Sequence, residues 1–252
     1  MNTTVTKTDY ILWRECHKNV WYKKYKPEVY NGQKLSEFEK AIIETGNEVE
    51  LVARQLFPAG ILIEGRQEVD QKLTQDLLAK KSSVLFQPIF FKKSFLAAVD
   101  FLELNSDGSY NIYEVKSTTD VDKKTHYHDL AFQIALLQMF GLKIKQADVI
   151  HLNNEYVKEG ELKLRKLFKI TDVTEEVFAR LEDVKLEMEK ALQYLSDTNE
   201  PKGYCDCVYK GRSAHCSTFA YANPDIPEYG VHDISRIGAS KGKLQEMIDL
   251  WW

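Results

Sequence analysis

Residues 95–118 read FLAAVDFLELNSDGSYNIYEVKST, with two apolar runs on either side of a turn-rich Ser-Asp-Gly-Ser segment. This pattern predicts a β-hairpin. Three charged residues, Asp100, Glu114 and Lys116, lie within the apolar runs, where core side chains are expected. Because burying a carboxylate is costly unless something compensates its charge, the hairpin is the candidate functional element.

The turn of this hairpin decides whether the two acids face each other. A two-residue turn would point them to opposite faces of the sheet. A three-residue loop over 106–108, with Gly108 in the left-handed conformation, shifts the pairing by one residue. That register places Asp100 opposite Glu114, with Cβ atoms about 5 Å apart. We predict this register, or a bulge with the same effect.

Two opposed carboxylates predict a divalent-cation site. Mg²⁺ is typically held by one or two carboxylates together with waters and substrate phosphate oxygens. Lys116 shares the face of Glu114, where it would orient an attacking water, accept its proton or stabilise negative charge on the phosphorane. The three residues therefore predict metal-assisted phosphodiester hydrolysis. The alternative is a solvated strand face, on which an acid and a lysine two residues apart are common.

The composition sets the broad class of protein. The chain has 252 residues, of which 44% are hydrophobic and 29% charged, as in soluble globular proteins. The net charge of −4 lacks the basic excess usual for nucleic-acid binders, although clustered lysines leave that function open. No apolar run approaches the ~20 residues of a membrane span, and no signal sequence begins the chain. We therefore predict a cytoplasmic protein without a membrane partner, and its oligomeric state stays open.

Four cysteines predict a metal centre. Cys16 lies near the start of the chain, and Cys205, Cys207 and Cys216 fall within twelve residues near its end. A cytoplasmic location disfavours disulfides, whereas four thiolates suit an iron–sulfur cluster or zinc. Three cysteines with one histidine, and free buried cysteines, are the alternatives. The candidate histidines are His17 and His215.

The flanking sequence alternates helical and strand patterns. The predicted helices cover residues 8–25, 34–57, 70–80, 124–140 and 174–196. The predicted strands outside the hairpin are ILIEG, SVLFQPIFF, 145–152 and 164–173. This order of elements predicts an α/β protein.

The hairpin motif resembles the PD-(D/E)XK nuclease superfamily, in which an Asp ends one strand and Glu-x-Lys lies on the next. Val99 stands here at the proline position. The helix HYHDLAFQIALLQMFGL, residues 126–142, is similar to the RecB-like branch, with Gln133 matching its glutamine. Leu137 stands where that branch has a tyrosine, which is a departure.

An upstream helix adds to the resemblance. In ETGNEVELVARQLFP, residues 44–58, Gly46 and Glu50 match a glycine and a metal ligand spaced four residues apart in the RecB-like branch. The family often has His at the second position, where Glu would also serve as an oxygen ligand. Glu48 is the competing candidate.

The cysteines are similar to those of CRISPR-associated RecB-type exonucleases and the AddB-type nuclease domain. There, one cysteine before the nuclease core and three after it bind a [4Fe–4S] cluster. Cys16 lies in ILWRECHKNVWYKKY, and the late cysteines lie in YCDCVYKGRSAHCSTF. The spacing departs from the family, because one residue separates Cys205 from Cys207 where two are usual.

The resemblance implies a fold of the α/β class. It would have a restriction-endonuclease-like core with a central mixed β-sheet flanked by helices, and a cysteine-ligated cluster joining the N- and C-terminal segments. The nuclease domain would cover residues 1–220. Residues 221–252 would form a C-terminal tail, ending on an amphipathic helix with two terminal tryptophans.

The resemblance also implies a function, that of a Mg²⁺- or Mn²⁺-dependent deoxyribonuclease, an exonuclease acting on single-stranded DNA ends. Asp100, Glu114, the Val115 carbonyl and Glu50 would hold the metal. Lys116 would serve the attacking water. Gln133 would orient Lys116 or a phosphate. The expected phosphate contacts are Lys123, Lys124 and His128.

Two other functions remain open. One is a catalytically inactive nucleic-acid-binding module with an iron–sulfur or zinc centre, working in a larger assembly. The other is a different metal-dependent hydrolase built on the same hairpin. His126, His128 and Asp129 are interpreted as the start of a helix rather than a separate metal site, since Asp is favoured near a helix N-terminus.

Overall fold

A computed structural model describes residues 3–32, 37–65 and 68–250 of the chain. The terminal Trp251 and Trp252 of the predicted tail helix lie outside the described residues. The strands are β1 Val5–Thr6, β2 Ile61–Leu62, β3 Val84–Phe86, β4 Ile89–Lys92, β5 Phe95–Ala98, β6 Phe101–Leu104, β7 Tyr110–Lys116, β8 Ile144–Leu152 and β9 Phe168–Asp172. The helices are α1 Lys7–Glu15, α2 His17–Tyr25, α3 Pro27–Tyr30, α4 Glu37–Ala53, α5 Gln71–Ala79, α6 His126–Met139, α7 Leu164–Leu167, α8 Thr174–Phe178, α9 Leu181–Ser196, α10 Phe219–Ala222 and α11 Lys241–Asp249.

The described strands form two sheets. The larger has the order β2-β3-β6-β7-β8-β9, and the smaller has the order β1-β5-β4. The larger sheet is mixed, because β2 pairs parallel to β3 and β7 parallel to β8, while its other pairs are antiparallel. Helices pack on its strands, with α4 against β7, α6 against β7 and β8, and α8 against β8. The predicted α/β class with a central mixed sheet flanked by helices is confirmed.

Strand β7 separates the hydrophobic core under α4 from the candidate site. Tyr113 belongs to a core cluster with Phe101 of β6 and with Val49 and Ala53 of α4. Residues alternate between the two faces of a strand. Glu114 therefore points to the opposite face of β7, where α6 packs.

The β6–β7 hairpin has the predicted register. Asn105 N donates to Ser109 O at 2.8 Å, and Phe101 lies opposite Tyr113. Gly108 has φ +81°, the left-handed conformation that the three-residue loop requires. Continuing this pairing by one residue places Asp100 opposite Glu114, so the predicted register is confirmed.

Two predicted strands are interrupted. The apolar run before the turn divides at Val99 and Asp100 into β5 and β6, which belong to different sheets. The run SVLFQPIFF likewise divides into β3 and β4, because Gln87 adopts φ +54° and proline follows it. The two breaks lie together, since Gln87 N donates to Asp100 O at 2.9 Å.

Two long predicted helices are also interrupted. The helix predicted over 8–25 breaks at Cys16, whose extended backbone (φ −162°, ψ 111°) separates α1 from α2. The helix predicted over 174–196 divides into α8 and α9. The first half of the strand predicted over 164–173 is the short helix α7, and only its second half is β9.

The chain divides into two compact units. The first comprises Met1–Lys7 and Leu35–Leu192, and the second comprises Thr8–Lys34 and Gln193–Trp252. The second unit has its own small apolar core of Val208, Ile237, Leu244 and Ile248. The proposed domain boundary after residue 220 stays a prediction. None of the described helices combines the length and the apolar character that a bilayer crossing requires.

Candidate active site and cysteine site

Glu114 is at the centre of a polar cluster between β7 and α6. Its side chain is only 2% exposed. Lys116 Nζ lies 2.6 Å from Glu114 Oε1, and Gln133 Nε2 lies 2.7 Å from Oε2. The predicted residues Lys116 and Gln133 therefore both contact Glu114 directly.

Asp100 approaches this cluster from the break between β5 and β6. Its Oδ2 accepts a hydrogen bond from Val115 N at 2.8 Å. Burial and the nearby negative charge of Glu114 raise the pKa of Asp100 to about 7, against the opposing effects of Lys7 and Lys116. Within the described part of the chain, Asp100 forms no ion pair. Its carboxylate therefore lacks a direct counter-charge.

Asp129 is a further acid of the site that the sequence did not assign. It lies in the first turn of α6, and its Oδ2 is 2.9 Å from Lys116 Nζ. Burial and the charge of Glu114 raise the pKa of Asp129. The spacing of four residues between Asp129 and Gln133 could have identified Asp129 from the sequence, because residues four apart share a helix face. Asp129 lies near the start of α6, as predicted, and it also forms an ion pair with Lys116.

Lys7 is the second basic residue of the site. Its Nζ lies 3.1 and 3.2 Å from the two oxygens of Glu114 and 3.4 Å from Asp129 Oδ1. Burial would lower the pKa of Lys7, but the charges of Asp129 and Glu114 outweigh it and raise the pKa. No sequence pattern links Lys7 to residues more than a hundred positions away, so sequence reasoning missed it.

Lys116 is held as an ammonium. Burial alone would lower its pKa, but the carboxylates of Glu114 and Asp129 raise it well above the ordinary lysine value. A lysine in this environment donates hydrogen bonds and stabilises negative charge.

Glu50 is connected to Asp100 through an amide. Gln87 Nε2 lies 2.7 Å from Glu50 Oε1 and 3.3 Å from Asp100 Oδ1. Arg54 Nη2 also contacts Glu50 Oε1, at 2.6 Å. Glu48, the competing candidate, is exposed. Of the two upstream acids, the structure therefore brings Glu50 to the neighbourhood of Asp100.

The remaining predicted residues lie around this cluster. Lys123 and Lys124 are exposed in the segment between β7 and α6, and His128 Nδ1 is 2.9 Å from Lys124 O. Val115 contributes its N–H to Asp100, and the metal-binding role of its carbonyl stays a prediction. Leu137, at the tyrosine position of the RecB-like branch, is fully buried in the core.

The cluster has a surplus of negative charge that suits a divalent cation. When ionised, the carboxylates of Asp100, Glu114 and Asp129 carry three negative charges beside two ammonium groups, and within the described residues Asp100 forms no ion pair. Gln133 Oε1 is buried and has no hydrogen-bond partner within the described residues, which leaves an oxygen available. The carboxylates are not drawn into a tight set, however. In the part of the chain that the structure describes, only the cysteines form a group of three or more potential ligands within 4.8 Å.

The four cysteines meet in the second unit. The sulfur atoms of Cys16, Cys205, Cys207 and Cys216 all lie within 4.8 Å of one another. Hydrogen bonds from the other three thiols, and from Asn223 Nδ2 at 3.2 Å, lower the pKa of Cys205. The predicted convergence is confirmed, including the pair separated by a single residue. Four thiols at this spacing are a ligand set for a thiophilic metal.

The two candidate histidines are engaged elsewhere. His17 Nδ1 lies 2.8 Å from Asp206 Oδ2, and its backbone N–H donates to the same oxygen at 2.7 Å. His215 Nε2 lies 2.9 Å from Lys210 O, and its ring stacks on Phe219. The structure therefore favours an all-cysteine ligand set over one that includes a histidine.

The fold and site together define an α/β protein with an Asp-Glu-Lys cluster around a buried glutamate and a separate four-cysteine site. No protein-family model matches the chain, and no curated protein matches it. Among solved structures, the chain is similar to LHK-Exo in complex with dAMP, at 14% identity over 77% of this chain and 90% of that one, with a TM-score of 0.44.

Two further structures are similar to the chain. One is the alkaline exonuclease LHK-Exo from Laribacter hongkongensis, at 12% identity over 70% of this chain and 95% of that one, with a TM-score of 0.28. The other is a phage related exonuclease from Haemophilus somnus, at 12% identity over 79% of this chain and 98% of that one, with a TM-score of 0.33.

Proposed function

We propose that this protein is a divalent-metal-dependent deoxyribonuclease of the PD-(D/E)XK type. The observation that carries the proposal is the convergence of Asp100, Glu114 and Lys116 on one side of the β6–β7 pair, where Gln133 contacts Glu114. A solvated strand face does not explain it, because Glu114 is almost fully buried. Three acids beside two lysines, two of the acids buried, leave a negative surplus when ionised that a cation would compensate.

Mg²⁺ or Mn²⁺ would be held by Asp100 and Glu114, with the Val115 carbonyl and Glu50 as further oxygen ligands. The cation would supply Lewis-acid activation of the phosphodiester and of its attacking water. Glu50 would have to release part of its hold on Arg54 and Gln87 to take this role. The residues fit the cation by type and charge, since Mg²⁺ and Mn²⁺ prefer oxygen ligands.

Of the roles open to Lys116, charge stabilisation fits best. In the metal-free protein its ammonium lies between Glu114 and Asp129, whose charges favour the protonated form. It would therefore donate to the phosphate oxygens as negative charge develops, rather than accept the proton of the water. Gln133 and Asp129 would position Glu114 and Lys116 for this role.

The substrate would be DNA with a single-stranded or free end. Lys123 and Lys124 are exposed directly after the strand that carries Lys116, and with His128 they would contact phosphates along the strand path. Exonuclease action and the preference for single strands rest on the resemblance to the RecB-like branch. The cytoplasmic location rests on the sequence.

The cysteine site would bind a structural metal centre. The resemblance favours a [4Fe–4S] cluster, whereas the spacing favours one zinc ion. Four sulfurs around a tetrahedral zinc, with Zn–S bonds of about 2.3 Å, lie roughly 3.8 Å apart. An iron–sulfur cube separates its cysteine sulfurs further, because four irons and four sulfides stand between them. Counts of iron, sulfide and zinc in protein purified without air distinguish the two.

A second function, an inactive nucleic-acid-binding module, is favoured by one observation. Lys7 already neutralises Glu114, and the described carboxylates form no tight three-ligand set. On this alternative the ion pairs would be purely structural. The protein would then bind DNA without cutting it.

The decisive experiment is a cleavage assay with Mn²⁺ on linear single-stranded, linear double-stranded and circular single-stranded DNA. We expect mononucleotide or short products from linear single strands, and at least a 100-fold loss of rate in Lys116→Ala and Asp100→Asn. Lys72→Ala, a change at a largely exposed lysine of α5, serves as the control. DNA binding without cleavage by the parent would favour the inactive module.

A further inference from the structure

We propose that Lys7 is a built-in competitor of the divalent cation. Its ammonium neutralises Glu114 in the metal-free protein and gives up that carboxylate when the cation binds. This inference rests on the proposed function, because it concerns the same site. It assigns a role to a residue that lies outside the Asp, Glu-x-Lys and Gln motifs.

The oxygens of Glu114 are already fully occupied in the metal-free protein. A carboxylate offers about four lone-pair positions on its two oxygens. Lys116 takes one on Oε1 at 2.6 Å, and Gln133 takes one on Oε2 at 2.7 Å. Lys7 Nζ lies almost equally far from both oxygens, at 3.1 and 3.2 Å. A cation ligated by Glu114 needs one of these positions, and the two longer contacts of Lys7 are the ones that yield most easily.

The backbone holds Lys7 beside the site but leaves its side chain able to move. Strand β1 pairs parallel with β5, and Val5 is fully buried with its N–H donating to Ser94 O at 2.8 Å. Lys7 follows β1 directly as the first residue of α1. The backbone is therefore fixed beside the site, while the long lysine side chain allows its ammonium to move by several ångströms.

The charge of the site also favours displacement of Lys7 by the cation. Asp100, Glu114 and Asp129 carry three negative charges when ionised, and Lys7 and Lys116 supply two positive charges. Adding a divalent cation while Lys7 stays in place would bring three cationic groups around Glu114. The Coulomb repulsion between Lys7 and the cation at such short distances opposes this arrangement. Displacement of Lys7 relieves it.

A consequence is coupling between the cation and DNA. A substrate phosphate would give the displaced ammonium a new anionic partner. The cation should therefore bind more tightly when DNA is present, and by linkage DNA should bind more tightly when the cation is present. Lys7 would compensate part of the negative charge of the site until the cation and the substrate arrive.

The test measures Mn²⁺ binding directly, by calorimetry and by the electron paramagnetic resonance signal of free Mn²⁺, without an activity assay. We expect Lys7→Met to bind Mn²⁺ about tenfold more tightly than the parent, the effect of removing one charge-assisted competitor. Lys7→Arg keeps the positive charge and should stay within about twofold of the parent. Lys72→Met removes a positive charge from the surface of the first unit and should also bind Mn²⁺ within about twofold of the parent.

Folding is checked by thermal unfolding in a chelator. Lys7→Met should have a lower Tm than the parent without metal and a larger rise of Tm with Mn²⁺, because the cation replaces the lost ammonium. Lys7→Gln, which keeps a hydrogen-bond donor, serves if Lys7→Met does not fold. The binding comparison then uses the glutamine variant in the same way.

The outcomes separate the two proposals. Equal or weaker Mn²⁺ binding by the neutral Lys7 variants overturns the competitor role and leaves the proposed nuclease site intact, provided that Asp100→Asn weakens binding in the parent. Failure of both the parent and the neutral variants to bind Mn²⁺ overturns both proposals. Both proposals are also overturned if Asp100→Asn leaves the affinity for Mn²⁺ unchanged.

Discussion

The carboxylate of Asp100, in the break just before β6, accepts a 2.8 Å hydrogen bond from the backbone N–H of Val115, near the C-terminal end of β7. This bond extends the β6–β7 pairing by a side chain, at the position where Asp100 has left the strand ladder. It fixes the acid above the strand that carries Glu114 and Lys116. The geometry of the site is therefore tied to the register of the hairpin, and through it to the turn.

The first prediction concerns that turn. Gly108 has φ +81°, and a Cβ there would meet no other atom within 4 Å, so the cost of Gly108→Ala is conformational rather than steric. We expect a loss of about 1 kcal/mol in the free energy of unfolding. The measurement is denaturant unfolding in the absence of metal.

Gly46 provides a matched control for this substitution. It lies within α4, and a Cβ there also meets no atom within 4 Å. Gly46→Ala should therefore stabilise the protein by about 0.5–1 kcal/mol, because glycine is unfavourable inside a helix. Equal effects of the two substitutions would contradict the left-handed conformation of Gly108.

The register of the hairpin could be predicted from the sequence, whereas the break in its first strand could not. Alternation along each strand and the Ser-Asp-Gly-Ser turn together determine which side chains face each other, so the register could be predicted. The division of the preceding run at Asp100 could not, because apolar residues continue on both sides of the acid. That division arises because β5 pairs with β4 and with β1 in the smaller sheet, whereas β6 pairs in the larger sheet. Strand β1 is distant from β5 in sequence.

The limits are similar elsewhere in the site. The clustering of three cysteines predicted their convergence, but the helix break at Cys16 depends on Asp206, which accepts the N–H of His17 from the other end of the chain. Lys7 reaches Glu114 only because the fold brings β1 beside β5. Contacts of this kind arise from tertiary packing, which local patterns do not encode.

The second prediction concerns Gln133. Its side chain is fully buried, and its Nε2 donates to Glu114 at 2.7 Å. Gln133→Met keeps the approximate shape but removes a hydrogen bond to a buried charge. We expect a loss of about 1.5–3 kcal/mol in the free energy of unfolding and a fall in nuclease rate. Denaturant unfolding and the cleavage assay measure the two effects.

Leu137 is the control for Gln133, because it lies one turn further along α6 and is also fully buried. Leu137→Met conserves volume and should cost less than about 1.5 kcal/mol, with cleavage retained. If Gln133→Met cut DNA as fast as Leu137→Met, the proposed positioning of Glu114 by Gln133 would be wrong.

The third prediction is a pH dependence that arises away from the site. Burial, together with the negative charges of Asp172 and Glu103, raises the pKa of Asp148 on β8 to about 6, although a hydrogen bond from Gln146 opposes this. The folded state therefore binds a proton more tightly than the unfolded state. The contribution of Asp148 to the free energy of unfolding should fall as the pH rises from about 4 to 6, and level off above.

Asp148→Asn removes the titrating carboxyl and with it this pH-dependent contribution to stability. It should be more stable than the parent at pH 8 by on the order of 2 kcal/mol, and the difference should shrink towards pH 4. Thermal and denaturant unfolding over this pH range measure it. Asp183→Asn, at an exposed aspartate of α9, provides the matched change. A constant difference between Asp148→Asn and the parent at every pH would contradict the assignment.

The fourth prediction concerns the cysteine site. Each of Cys16, Cys205, Cys207 and Cys216 contributes to one sulfur group, so replacing any of them with Ser should lower the bound metal to a similar extent. Because binding to a structural site contributes directly to folding free energy, the second unit should become sensitive to proteolysis. Elemental analysis and limited digestion measure the two effects.

His215 distinguishes an all-cysteine site from one with a histidine ligand. Its Nε2 is engaged by Lys210 O and its ring stacks on Phe219, with centroids 3.4 Å apart. His215→Phe keeps an aromatic ring for this stacking and removes both ring nitrogens. We expect it to retain the metal content of the parent, whereas Cys216→Ser should lose it. Loss of metal from His215→Phe, with metal retained by one of the cysteine variants, would instead identify a site of three cysteines and one histidine.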